Sequence, residues 1–127
     1  MYFTNDRIYL RKGTVEALKN PSYIRLSINR GNKLLIITPC EKNKDSFRMH
    51  YEKYYFYNEE SRSYEYSEEP HLCFIYAKKL LDFLAQIVNV ERNSISLRFE
   101  GILHNGEVII DLKHYEFVIY EKEEEYE

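Results

Sequence analysis

Residues 21–40 read PSYIRLSINRGNKLLIITPC, and this stretch sets the class of fold. Ile24, Leu26 and Ile28 fall on one side of an extended chain, Arg25 and Ser27 on the other. Asn29-Arg30-Gly31-Asn32 has turn composition. Leu34 to Thr38 is continuously apolar enough for a strand buried on both faces, and Pro39 is expected to end it. The stretch therefore reads as a hairpin. Upstream, Ile8-Tyr9-Leu10 reads as a short strand broken by Gly13. Thr14 is placed to cap a short helix, Val15–Lys19, that stops at Asn20-Pro21. Residues 7–40 thus form a strand, helix and hairpin.

A second unit of the same order is expected over 73–112. Phe74-Ile75-Tyr76 reads as a strand. Residues 77–89 form the main helix, with Leu80, Leu84, Ile87 and Val88 on one apolar stripe. Ile95, Leu97 and Phe99 alternate with polar residues, and Asn105-Gly106 is a strong hairpin turn before Val108-Ile109-Ile110. The two units match motif by motif: Ile8-Tyr9 with Ile75-Tyr76, Ile24-x-Leu26-x-Ile28 with Ile95-x-Leu97-x-Phe99, Gly31 with Gly106, Leu35–Ile37 with Val108–Ile110. The expected fold is therefore α+β, a single domain over 1–120 with pseudo-two-fold internal duplication. Between the units, residues 41–72 form a connector rich in tyrosine and glutamate. A last strand is expected at Tyr115–Tyr120, followed by an acidic tail at 121–127.

The 127 residues are 44% apolar and 31% charged, a globular composition. No run approaches the roughly 18 apolar residues of a membrane span, and the first residues have neither a basic nor an apolar leader region. Cys40 and Cys73 lie far apart with no C-x-x-C spacing, which suits free thiols in the cytoplasm. The net charge of −3 is unevenly spread. Residues 1–53 hold eleven Lys/Arg against five Asp/Glu, and 54–127 hold seven against sixteen. A dipole of this size bears on partners rather than on fold.

No constellation for catalysis stands out. His50, His71, His104 and His114 lack metal-ligand spacing, and no metal or cofactor is expected. His71 and Cys73 lie two apart, but a nucleophile and its base must face one another and be oriented by a third group. The four glycines form no phosphate loop. The connector is more suggestive, with Tyr51, Tyr54, Tyr55, Tyr57, Tyr64 and Tyr66 among Glu52, Glu59, Glu60, Glu65, Glu68 and Glu69. Tyrosine offers a large apolar body, a polar tip and few rotatable bonds, so these rings either roof a sheet or form a recognition surface.

The segment Leu34–Met49, LLIITPCEKNKDSFRM, together with Ile75-Tyr76-Ala77-Lys78-Lys79-Leu80, resembles a set of uncharacterised short proteins from Gram-positive gut bacteria and their mobile elements. In that set a strand ends in Pro-Cys and an I-Y-S-K-x-L-like segment follows. The order Arg7–Leu10, Val15–Leu18, Ile24–Ile28, Leu34–Ile37 also resembles the AbrB-type swapped-hairpin transcription factors. Here Leu10-Arg11 replaces that family's usual Ile-Pro step, and Val15-Glu16 replaces its hydrophobic-Arg step. The second resemblance implies contact with DNA.

Three functions are therefore carried forward. The first is a non-enzymatic DNA-associated regulator touching phosphates through Arg7, Arg11, Lys12, Arg25 and Arg30, with a homodimer doubling the basic face. The second is a protein-binding module or inhibitor, such as an anti-defence protein or a nucleic-acid mimic, using segment 51–69 and chiefly Tyr54, Tyr57, Tyr64 and Tyr66. The third is a small enzyme of unassigned class.

Overall fold

Among the described residues strands far outnumber helices. The computed structural model describes residues 1–4, 6–88 and 96–118. Within them the elements run β1 (Tyr2–Phe3), β2 (Arg7–Leu10), α1 (Lys12–Ala17), β3 (Tyr23–Asn29), β4 (Leu34–Cys40), β5 (Phe47–Arg48), β6 (His50–Glu52), β7 (Tyr55–Asn58) and β8 (Ser63–Tyr66). They continue β9 (Leu72–Tyr76), α2 (Lys78–Val88), β10 (Ser96–Arg98), β11 (Gly101–His104), β12 (Glu107–Asp111) and β13 (Glu116–Val118). One sheet has the order β13-β10-β1-β2-β9-β6, a second β11-β12-β4-β3-β5, and β7-β8 stand as a third, two-stranded sheet. Every pairing is antiparallel.

This corrects the expected α+β class. The described chain is mainly antiparallel β-sheet with two helices, and it is not built of two strand–helix–hairpin units around one main helix. The motif match breaks at the segment after each helix. Ile24–Ile28 lies in β3 and pairs with β4 in the second sheet. Its supposed counterpart, Leu97 in β10 and the adjoining Phe99, belongs to the first sheet, where β10 lies between β13 and β1. The hairpin closed by Asn105-Gly106 is instead β11–β12, with Gly101↔Ile110 and His104↔Glu107. Alternating aliphatic residues state that a strand exists but not which sheet receives it. Ile95, the first residue of that motif, lies outside the described residues.

β2, β4 and β12 keep a two-residue alternation of burial. In β2, Ile8 and Leu10 are buried while Arg7 and Tyr9 are half-exposed. In β4 and β12, Leu35, Ile37, Val108 and Ile110 are buried and their neighbours are not. The buried side chains of both larger sheets join Val15, Leu18, Leu81, Leu84 and Val88 in one continuous core. Pro39 does not end β4 but sits within it, opposite Ile24. It is tolerated because β12 reaches only as far as Ile37, so no partner needs the missing N–H on that side. Asn105 and Gly106 both take positive φ, 51° and 76°, the geometry of a tight primed hairpin turn.

The helices differ from expectation in detail. α1 begins at Lys12 rather than Val15, with Arg11 as its extended N-cap. Thr14 is inside the helix and caps nothing, and Gly13 does not break the chain. α1 stops where Lys19 and Asn20 enter the left-handed region, their N–H groups returning to the Glu16 and Val15 carbonyls at 2.9 Å. In α2 the core stripe is Leu81, Leu84 and Val88, one step round from the expected one, and Leu80 and Ile87 are only half-buried. Asn89 lies outside the described residues, as does the chain beyond Val118. No helix among the described residues is long and apolar enough to cross a membrane.

Candidate functional site

The tyrosine- and glutamate-rich connector contains a hairpin of its own. β7 and β8 form a hairpin with Tyr55 opposite Tyr66 and Tyr57 opposite Tyr64. Since side chains alternate along a strand, these four tyrosines share one face, and Phe56, Asn58, Ser63 and Glu65 share the other. The rings touch in sequence. Tyr57 meets Tyr64 edge-on at 5.2 Å, Tyr64 stacks on Tyr55 at 5.2 Å, and Tyr55 leans on Tyr66 at 5.0 Å. All four are exposed, Tyr66 at 68%. No other strand of the described residues pairs with either edge of this hairpin.

The arm is held at both ends. At the tip, Asn58 Oδ1 accepts the Glu60 N–H at 2.9 Å, and Arg62 takes φ 55° to turn the chain. Hydrogen bonds from Ser61 and Asn58 stabilise the Glu65 carboxylate and lower its pKa. At the base, the Ser67 N–H donates to the Tyr54 carbonyl at 2.8 Å, and the Tyr54 N–H donates to Ser67 Oγ at 3.0 Å. The His71 N–H donates to the Glu52 carbonyl at 2.8 Å, continuing the β6–β9 ladder towards the arm. The Tyr54 ring packs on His71 at 4.3 Å, on the stem rather than on the four-ring face. Tyr51 behaves differently again. It is half-buried against the core, and its hydroxyl donates to the Pro21 carbonyl. Burial pushes its pKa up to about 12.

The five basic residues are drawn into different settings. The Arg7 guanidinium lies over Phe74 at 4.5 Å and Tyr76 at 4.9 Å, and donates to the hydroxyls of Tyr9 at 3.4 Å and Tyr76 at 3.1 Å. His50 stacks on the same Phe74 ring. Together they cover Phe74, which is buried yet stands apart from the main core. Lys12 is ion-paired with Glu69 and lies 3.9 Å from Glu16, so its charge is offset. Arg30, in the turn after β3, lies 4.7 Å over the Phe83 ring of α2. Arg25 points outward from β3, opposite Thr38. Arg11 lines a groove of about 740 Å³ with Arg98, Lys113 and His114 on its walls and Leu34, Ile102 and Ile109 among its apolar members. Glu100, Asp111 and Glu116 line the same groove, Arg98 lies opposite Glu116 across the β10–β13 ladder, and Lys113 and His114 both face Asp111.

The remaining candidates do not converge. Cys73 is buried and its thiol pKa is raised, first by burial, although Lys12 pulls it down. That direction disfavours a thiolate nucleophile. No hydrogen bond joins it to His71 among the described residues, and both cysteines are free. His114 lines a charged open groove, not a closed apolar pocket. Among the described residues no group of three or more His, Cys, Asp and Glu is placed to hold a metal. No protein-family model, no curated protein and no solved structure matches this chain.

Of the four tyrosines expected from the sequence, Tyr57, Tyr64 and Tyr66 lie on this face and Tyr54 lies on the stem, while Tyr55, not among them, completes the row. The signal was present: Tyr55-x-Tyr57 and Tyr64-x-Tyr66 alternate, and a Glu59–Arg62 turn between them brings all four to one face. Arg98 and the Tyr9, His50, Phe74, Tyr76 surround of Arg7 had no such local signal, because sheet pairing alone assembles them.

Proposed function

We propose that this protein is a protein-binding module whose recognition surface is the tyrosine face of the β7–β8 arm. The supporting observation is the exposed row Tyr57, Tyr64, Tyr55, Tyr66 on a hairpin with which no other described strand pairs. Tyrosine rings held by a rigid backbone lose little entropy on binding, and such residues dominate interface energetics. The partner face is basic. Segment 51–69 carries six glutamates against Lys53 and Arg62, so arginines offered by the partner meet both ring faces and carboxylates. The same charge opposes phosphate, which separates this reading from stacking of single-stranded nucleic acid. Contact with DNA is the competing reading; Arg11 of the basic half and Arg98 line one groove, but Glu100, Asp111 and Glu116 line it with them and oppose phosphate.

The test is capture of partners from lysate with and without nuclease, using the wild type and a Tyr55→Ala/Tyr57→Ala/Tyr64→Ala/Tyr66→Ala variant. The expected result is a protein retained after nuclease and lost in the variant. Nuclease-sensitive capture, or equal capture by both proteins, overturns the reading.

A further inference from the structure

Sheet edges are where this molecule distinguishes one strand from the rest. Among the described residues the outer strands of the two larger sheets are β13, β6, β11 and β5. β5 is two residues long and includes Arg48, β6 includes Glu52, and β13 includes Glu116. Short, charged edges discourage pairing with another chain. β11, Gly101-Ile102-Leu103-His104, is four residues long and has no Asp, Glu, Lys or Arg. All four of its residues are exposed, Ile102 at 73% and Leu103 at 52%.

The hydrogen-bonding direction of this edge follows from its turn. In a hairpin closed by two residues, the flanking pair exchanges both main-chain bonds, and bonded pairs then alternate. With Asn105-Gly106 as the turn, His104 and Ile102 bond to β12. Gly101 and Leu103 therefore aim their N–H and C=O groups at the free edge.

We infer that this edge pairs with a second copy of itself, β11 against β11 antiparallel, on a two-fold axis passing through Ile102. In that register Ile102 faces the partner's Ile102, and each Gly101 exchanges main-chain bonds with the partner's Leu103. The match is self-complementary in three respects. The largest edge side chain on the inner face, Leu103, meets a glycine. His104 meets the partner's Glu100, a favourable pairing made twice. Ile36, Ile109 and Ile102 are successive cross-strand partners in one chain, so the dimer carries an unbroken row of six isoleucines across a ten-stranded sheet. Any other same-face register interrupts that row.

The experiment is a sedimentation-equilibrium concentration series, coupled to oxidative crosslinking. Wild type should reach twice the chain mass, and Ile102→Asp should remain at the chain mass, because like charges then meet on the axis. Because Ile102 is 73% exposed, the variant should melt as the wild type does at concentrations low enough for both to be monomeric. Oxidised Ile102→Cys should crosslink, since directly opposed non-bonded residues lie about 4.5 Å apart between Cα atoms, within disulfide reach. Leu103→Cys should crosslink at most one-tenth as fast, being opposite glycine. A monomeric wild type throughout the series, or equal crosslinking by the two cysteine variants, overturns the inference.

Discussion

Replacing Tyr57 and Tyr64 together by alanine tests whether the arm is an independent unit of stability. The double substitution removes two ring contacts, Tyr57 with Tyr64 and Tyr64 with Tyr55. Cross-strand aromatic pairs contribute about 0.5–1 kcal/mol each. The arm should therefore open more easily by about 1–2 kcal/mol, which is a factor of roughly 5–30 in the opening equilibrium. The global transition should hardly move, because neither ring belongs to the core and both are more than half exposed. Hydrogen exchange read by mass spectrometry on peptides covering 54–67 should accelerate by that factor, while peptides of β2, β4, β9 and β12 stay unchanged. A drop in melting temperature of more than about 4 °C, a whole kcal/mol of global stability, would show that the arm is part of the main folding unit. Unchanged exchange over 54–67 would show that the ring row contributes nothing.

Leu84→Ala should destabilise by about 2–5 kcal/mol in a urea titration, because the side chain is fully buried on α2 and truncation leaves a cavity. Leu80→Ala, half-buried, should cost clearly less, and equal losses would mean the helix is rotated from its described position. The Tyr51 hydroxyl has its pKa raised from 10 to about 12, so the unfolded chain ionises first. Its contribution is complete below pH 10 and is lost as pH rises to 12. Tyr51→Phe should flatten that decline, and an unchanged pH profile would contradict the burial of this hydroxyl.

The legible parts of this fold were those written locally. Asn105-Gly106 marked its turn, and the polar-apolar alternation of β3 marked its buried face, whereas the apolar run of β4, read as buried on both faces, buries only Leu35 and Ile37 fully. Leu84 and Val88 marked the inner side of α2, although the stripe turned out to centre on Leu81 rather than Leu80. Sheet membership was not local. Nothing near Leu97 says that β10 joins β1 and β13, and nothing near Tyr2 says that β1 lies between β10 and β2. The same limit governed the candidate site. Arg7 and Lys12 looked like free cations because Tyr76 and Glu69, which bind them, are 69 and 57 residues away.

The two pairings at the heart of the sheets have a consequence for how the chain acquires its shape. Ile8 pairs with Ile75, and Ile36 with Ile109, so the first half of the chain has no complete sheet until the second half arrives. On a ribosome β2 and β4 must wait with open edges through the synthesis of about seventy more residues, and closing such distant contacts is slow. Nicking the exposed turn at 59–62 should therefore not release a folded half. The two fragments should stay together through those ladders, and once separated each should be unstructured until remixed with the other.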